Sequence, residues 1–215
     1  MDYEMLVVYL TRLLAMVLVL PVHEAAHALA SDRLGDPTAR QQGRLTLSPR
    51  AHLDPWGSIC MLIAGIGWAR PVPVNPRYFK NPKWGMALSA AAGPLSNLAM
   101  AWVSALGMQI CAGLAQGGAG LLLVIAFLFF QTLFYLNLNL AVFNLLPIPP
   151  FDGSRILLVV LPQSLYFRVM RYERVLMLII FVLLILGAFN PVLSWLDLHL
   201  AQLFLWSTGF VRLLF

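Results

Sequence analysis

Leu18-Val19-Leu20-Pro21-Val22-His23-Glu24-Ala25-Ala26-His27-Ala28-Leu29-Ala30 closes the first apolar run of the chain, which extends over about residues 5–30. At ~1.5 Å per residue a helix of that length crosses a hydrocarbon core ~30 Å thick. Two histidines and a glutamate inside such a run are costly unless they are satisfied, so they are read first as functional groups. On a helix, positions i and i+4 share a face, and the imidazoles of His23 and His27 can therefore meet on one metal ion. The carboxylate beside the first histidine then reaches an attacking water as general base. This stretch predicts a membrane-embedded helix that carries half of a catalytic metal site.

The composition of the whole chain agrees. Of 215 residues, 60% are hydrophobic and only 11% are charged, against about a quarter in an ordinary soluble domain. Mean hydropathy is +0.82. These values exclude a soluble globular domain, a disordered chain and a nucleic-acid-binding module. The net charge of +5 comes from 14 basic residues scattered through apolar sequence, which makes a poor phosphate-binding face. In a membrane protein they are read as orientation signals. Cys60 and Cys111 both sit in apolar runs and read as small buried hydrophobes, not as a disulfide or a metal motif. Ala28-Leu29-Ala30 resembles a signal-peptide cleavage site. Asp2 and Glu4 put negative charge where a signal needs positive, however, and Arg12 interrupts the apolar region.

Beyond the first run, residues 31–55 are polar and rich in turn formers, and 43–48 alternates like a short strand. Residues 56–69 are apolar but too few to span, which suggests a re-entrant or interfacial segment. Residues 70–83 form a Pro-rich basic loop that cannot be one long helix. Further spans are expected at about 84–112, rich in small residues that let helices approach, at 121–147 and at 175–189. The stretch 200–215 either spans or lies in the interface. The expected fold is an all-α polytopic membrane protein, a single membrane-embedded domain over 1–215. It has four to five transmembrane helices and a small membrane-associated β-hairpin or re-entrant region after the first. The basic residues of 33–50, 70–83 and 155–174 fall on one side, while the turn 113–120 has no charge. The positive-inside rule makes the basic side cytoplasmic and leaves the N-terminus outside.

A catalytic zinc needs a third protein ligand and an open position for water. His52, His199, Glu173, Asp32, Asp36 and Asp54 lie in loops or outside clear spans. Asp152 follows Pro147, Pro149 and Pro150, which break the third span. Such breaks at membrane depth are tolerated where backbone lines a site or packs on protein, so Asp152 can turn into the bundle at the depth of His23 and His27. A metal transporter or sensor would need further acidic or histidine residues along a path through the spans, and none is present. A member that binds client helices without cutting would show a damaged ligand set.

With these residues in hand, the chain resembles the site-2 protease family of intramembrane zinc metalloproteases, peptidase family M50. The resemblance rests on His23-Glu24-x-x-His27 in a span and on Asn144-x-x-Pro147-x-Pro149-x-x-Asp152-Gly153. It extends to His52-x-Asp54-Pro55-x-Gly57, to Gly67-Trp68-x-x-Pro71-Val72-Pro73-Val74-Asn75-Pro76, and to Gly93-Pro94-x-x-Asn97. It implies that His23, His27 and Asp152 bind one zinc ion, that Glu24 activates water, and that Asn97 and Asn144 face the site. Amides suit that place because they hold a peptide backbone or an oxyanion without adding charge. His52 and Asp54 are expected to fix their loop, and Trp56 and Trp68 to anchor at the interface. The resemblance is to the compact form, without a PDZ or CBS domain. The implied activity is that of a zinc metalloendopeptidase cutting transmembrane or membrane-associated helices near the cytoplasmic face of a bacterial plasma membrane. Its partners would be the substrate helix and the bilayer, with no nucleic acid.

Overall fold

The computed structural model describes residues 3–64, 68–118, 120–157, 159–162, 168 and 171–215. Among them the chain is helical, and no strand ladder forms. Helix α1 (Tyr3–Arg33) carries the histidines. Two short helices follow, α2 (Thr38–Gln41) and α3 (Pro49–His52), then α4 (Pro55–Ala64). Helix α5 spans Pro82–Leu114 and α6 spans Leu121–Leu145. Short α7 (Asp152–Leu157), α8 (Glu173–Ile185) and α9 (Asn190–Ser207) complete the set, with a 3-10 turn over Gly209–Leu214.

Local chemistry sets these boundaries. Asn81 caps α5 by accepting the Trp84 backbone N–H, and Pro82 occupies the first turn, where a missing N–H costs nothing. Helix α6 stops at Leu145, two residues before Pro147, because proline disfavours helical backbone ahead of it. Helix α5 is the central element and packs against α1, α6 and α7. Its buried face is built from Gly85, Ala87, Ser89, Ala90, Gly93 and further small residues, which lets neighbouring backbones come close. In the core, Ala101, Ala105 and Met108 of α5 meet Phe134 and Leu138 of α6 and Ala201 of α9. Val19 of α1 packs on Leu133 of α6. Outward-facing apolar side chains are common, as at Leu122, Val160, Trp206 and Leu213, the surface expected of helices bathed in lipid.

Several expectations need correction. The 43–48 strand does not form. Gly43 takes a left-handed φ of 68°, and the polar groups around it are committed elsewhere: the Arg44 guanidinium donates to the Arg70 carbonyl, and His52 donates to the Thr46 carbonyl. In place of a hairpin there is one isolated antiparallel bridge between Leu53 and Ala69. The 56–69 segment contains helix α4, entered by Asp54, whose Oδ1 accepts the Gly57 N–H at 2.8 Å. Trp56 and Trp68 are exposed.

Among the described residues two helices are long and apolar enough to cross a membrane, Pro82–Gly117 and Leu121–Leu145. Helix α8 has 13 residues, and at ~1.5 Å per residue it falls well short of a ~30 Å core. The last helix begins at Asn190, earlier than expected, because Pro191 opens it. Asp197 and His199 interrupt its apolar pattern, and this interruption concealed it.

Candidate metal centre

The helical spacing of His23 and His27 brings their Nε2 atoms to 3.1 Å, with the rings edge to face. Asp152 is the first residue of α7 and offers Oδ2 at 3.4 Å from His23 Nε2 and 3.2 Å from His27 Nε2. The α6–α7 link makes this possible. Gly153 lies so close to the end of α6 that a Cβ there would fall 2.3 Å from the Leu145 carbonyl oxygen. All three ligand atoms are shielded: the histidines are buried, and the Asp152 side chain is 16% exposed.

The donor set fits zinc. Tetrahedral zinc with Zn–N and Zn–O bonds of ~2.0–2.1 Å places its ligand atoms ~3.3 Å apart. The observed triangle has edges of 3.1, 3.2 and 3.4 Å. Two imidazoles and a carboxylate also leave the open fourth position that catalytic zinc sites keep.

The other ring nitrogens are held from behind. His27 Nδ1 donates to the Ser89 carbonyl at 2.8 Å, and the Ser89 hydroxyl donates to the His27 carbonyl. His23 Nδ1 lies 2.5 Å from Asn97 Oδ1, Asn97 Nδ2 is 3.0 Å from Asn137 Oδ1, and Asn137 Nδ2 is 2.8 Å from the Leu133 carbonyl. Such partners orient metal ligands and raise their basicity. Gly93 of α5 makes room for both rings, since a Cβ there would fall 2.4 Å from His27 Nε2 and 2.6 Å from the His23 ring.

Glu24 is buried beside the histidines, and its Oε2 accepts the backbone N–H of Val72 at 3.0 Å. Val72 lies between Pro71 and Pro73, so it carries the single N–H of that tripeptide. The strip 70–75 is tied at both ends: the Arg70 carbonyl accepts from the Arg44 guanidinium, and the Asn75 N–H reaches Asp36 Oδ2 at 2.7 Å. Asp36 is fully buried and also accepts the Thr38 N–H and hydroxyl. Glu24, the metal triad and Val72 share a cavity of about 910 Å³ whose lining also includes Asn144, Arg155 and Asp197.

The four residues expected to do chemistry, His23, Glu24, His27 and Asp152, are thus in one place. Asn144 lines the cavity and donates to the Leu140 carbonyl. Asn97 is almost wholly buried behind His23, turned toward the ligand and not toward the cavity. His52 and Asp54 fix their loop, as expected. Asn137 was not anticipated. The signal available was an amide in a mostly apolar span, a signal it shares with Asn139.

The model of peptidase family M50 matches residues 112–187, which include α6, Asn144 and Asp152. Over 144 residues the chain is 46% identical to a Bacillus subtilis (strain 168) protein named "Putative zinc metalloprotease YwhC". The match covers 63% of this chain and 62% of that protein, less than two thirds of either. No solved structure matches the chain.

Proposed function

We propose that the chain is a member of peptidase family M50, a reading supported by the family-model match and the 46% identity above, and that it is an intramembrane zinc metalloendopeptidase. Its substrates are transmembrane or membrane-associated helices, cut near the cytoplasmic face. The observation that carries this reading is the convergence of His23, His27 and Asp152 to a zinc-sized triangle with Glu24 in the same cavity. The four to five spans, the outside N-terminus and the bacterial plasma membrane belong to the same reading. They are supported by the apolar runs and by the basic loops of 33–50, 70–83 and 155–174.

His23, His27 and Asp152 would hold one zinc ion, which when bound would supply Lewis-acid chemistry toward the scissile carbonyl and a water made nucleophilic near neutral pH. Glu24 takes the proton of the attacking water and passes it to the leaving amine. Val72 holds the Glu24 carboxylate toward the cavity in the meantime. Asn144 stands on the cavity wall as a partner for the peptide backbone or the developing oxyanion. A helical substrate must unwind before attack, because its own hydrogen bonds shield the scissile carbonyl. The strip 70–75 offers an extended edge against which an unwound peptide can lie in β fashion.

Proteomic comparison of membranes containing the active protein with membranes containing Glu24→Gln tests this function in its natural setting. Fragments cut within or beside apolar helices should accumulate with the active form alone. Identical fragment sets would overturn the assignment.

A further inference from the structure

We propose that Asn137 is a positioning residue of the metal centre, which through Asn97 fixes His23 in the tautomer that leaves Nε2 free to bind metal. The proposal rests on the zinc-site reading above and extends it to a residue on a third helix.

Donors and acceptors alternate in one sense along the buried chain His23–Asn97–Asn137–Leu133. The Leu133 carbonyl can only accept, so the Asn137 atom 2.8 Å from it must be the amide nitrogen. Asn137 then presents its oxygen to Asn97, which must answer with its own nitrogen at 3.0 Å. Asn97 is left with its oxygen toward His23 Nδ1 at 2.5 Å, so that nitrogen must carry the proton. In the neutral imidazole that a metal binds there is one N–H, so with Nδ1 protonated the lone pair is on Nε2, the atom facing His27 and Asp152. Reversing any member sets two acceptors face to face. If Asn97 were flipped to donate to His23, Asn137 would have to flip too, and its oxygen would then meet the Leu133 carbonyl with no hydrogen between them. Both amides are 1% exposed, so water is not at hand to repair a mismatch, and an unsatisfied buried polar pair is costly. The carbonyl of α6 thus sets the protonation of a ligand on α1 through α5. His27 needs no such chain, because the Ser89 backbone carbonyl fixes its Nδ1–H directly.

The reading is tested on purified full-length protein in nanodiscs by two measurements. The first is ¹⁵N NMR of the metal-free wild type with labelled histidine, His23 being assigned by its loss in His23→Gln. A protonated Nδ1 is expected, and a bare Nδ1 with the proton on Nε2 alone overturns the proposal. The second is Co²⁺ titration followed by its ligand-field spectrum, a readout independent of proteolysis. Asn137→Leu, matched in shape, should weaken binding roughly 10- to 100-fold, the usual effect of removing a partner behind a metal ligand. Thr132→Val removes a similar side-chain bond on α6 away from the site and should leave binding unchanged. If Asn137 acts only through Asn97, the double variant Asn97→Leu/Asn137→Leu should bind no more weakly than Asn97→Leu. Wild-type affinity in Asn137→Leu, or independent additive losses, overturns the proposal. Failure of the wild type to bind Co²⁺ would instead count against the metal site itself, while the NMR result still decides the tautomer.

Discussion

At the scale of single residues, the centre depends on atoms that leave no room for change. Gly93 is the sharpest case, because any Cβ there enters the space of both imidazoles. Gly93→Ala should cut zinc affinity at least about tenfold, since displaced rings lose both the triangle and the partners behind it. Equilibrium dialysis against a zinc chelator would read this, and wild-type affinity in the variant would contradict the geometry. The ligands themselves were legible in sequence for physical reasons. His23 and His27 announce themselves because i and i+4 on a helix is a local relation. Asp152 follows from a helix that prolines must break. Asn137 was hidden because its role depends on Asn97, 40 residues away in the chain, and nothing local distinguishes it from Asn139 on the same helix.

At the scale of elements, the strip 70–75 shows how irregular backbone is held at the site. Its proline spacing was visible in the sequence, but its anchors were not, since Asp36 and Arg44 looked like ordinary loop charges. Asp36 accepts two backbone N–H groups and one hydroxyl while fully buried. Asp36→Ala should therefore cost about 2 kcal/mol or more, from orphaned donors worth ~1–3 kcal/mol each. Unfolding of the detergent-solubilised protein measures this, and cleavage by an added protease within 70–75 should rise with it. An unchanged unfolding midpoint would show that the strip is held by other means. The β-hairpin expectation failed in this same region, because the Arg44 side chain and the Thr46 carbonyl are committed to partners in the loops and only an isolated bridge forms. Hydropathy also missed the start of α9, since Asp197 and His199 break the apolar run without breaking the helix.

At the scale of the molecule, three buried ligand atoms come from α1 and α7, and α5 and α6 support them. Metal should therefore tie the bundle together. Free zinc at 100 times its dissociation constant should stabilise the fold by ~2.7 kcal/mol, seen as a higher unfolding temperature that a chelator reverses. His27→Ala should abolish the effect, and an equal rise in that variant would place the stabilising ion elsewhere. The central claim is that this triangle, with Glu24, cuts helices in a membrane. The direct measurement uses zinc-loaded wild type and Glu24→Gln, matched in metal content and reconstituted in lipid with a tethered reporter helix, with products identified by mass spectrometry. The account predicts one zinc per chain in both proteins, and cleavage within or beside the helix by the wild type only. Continued cleavage by the metal-replete Glu24→Gln protein would contradict it.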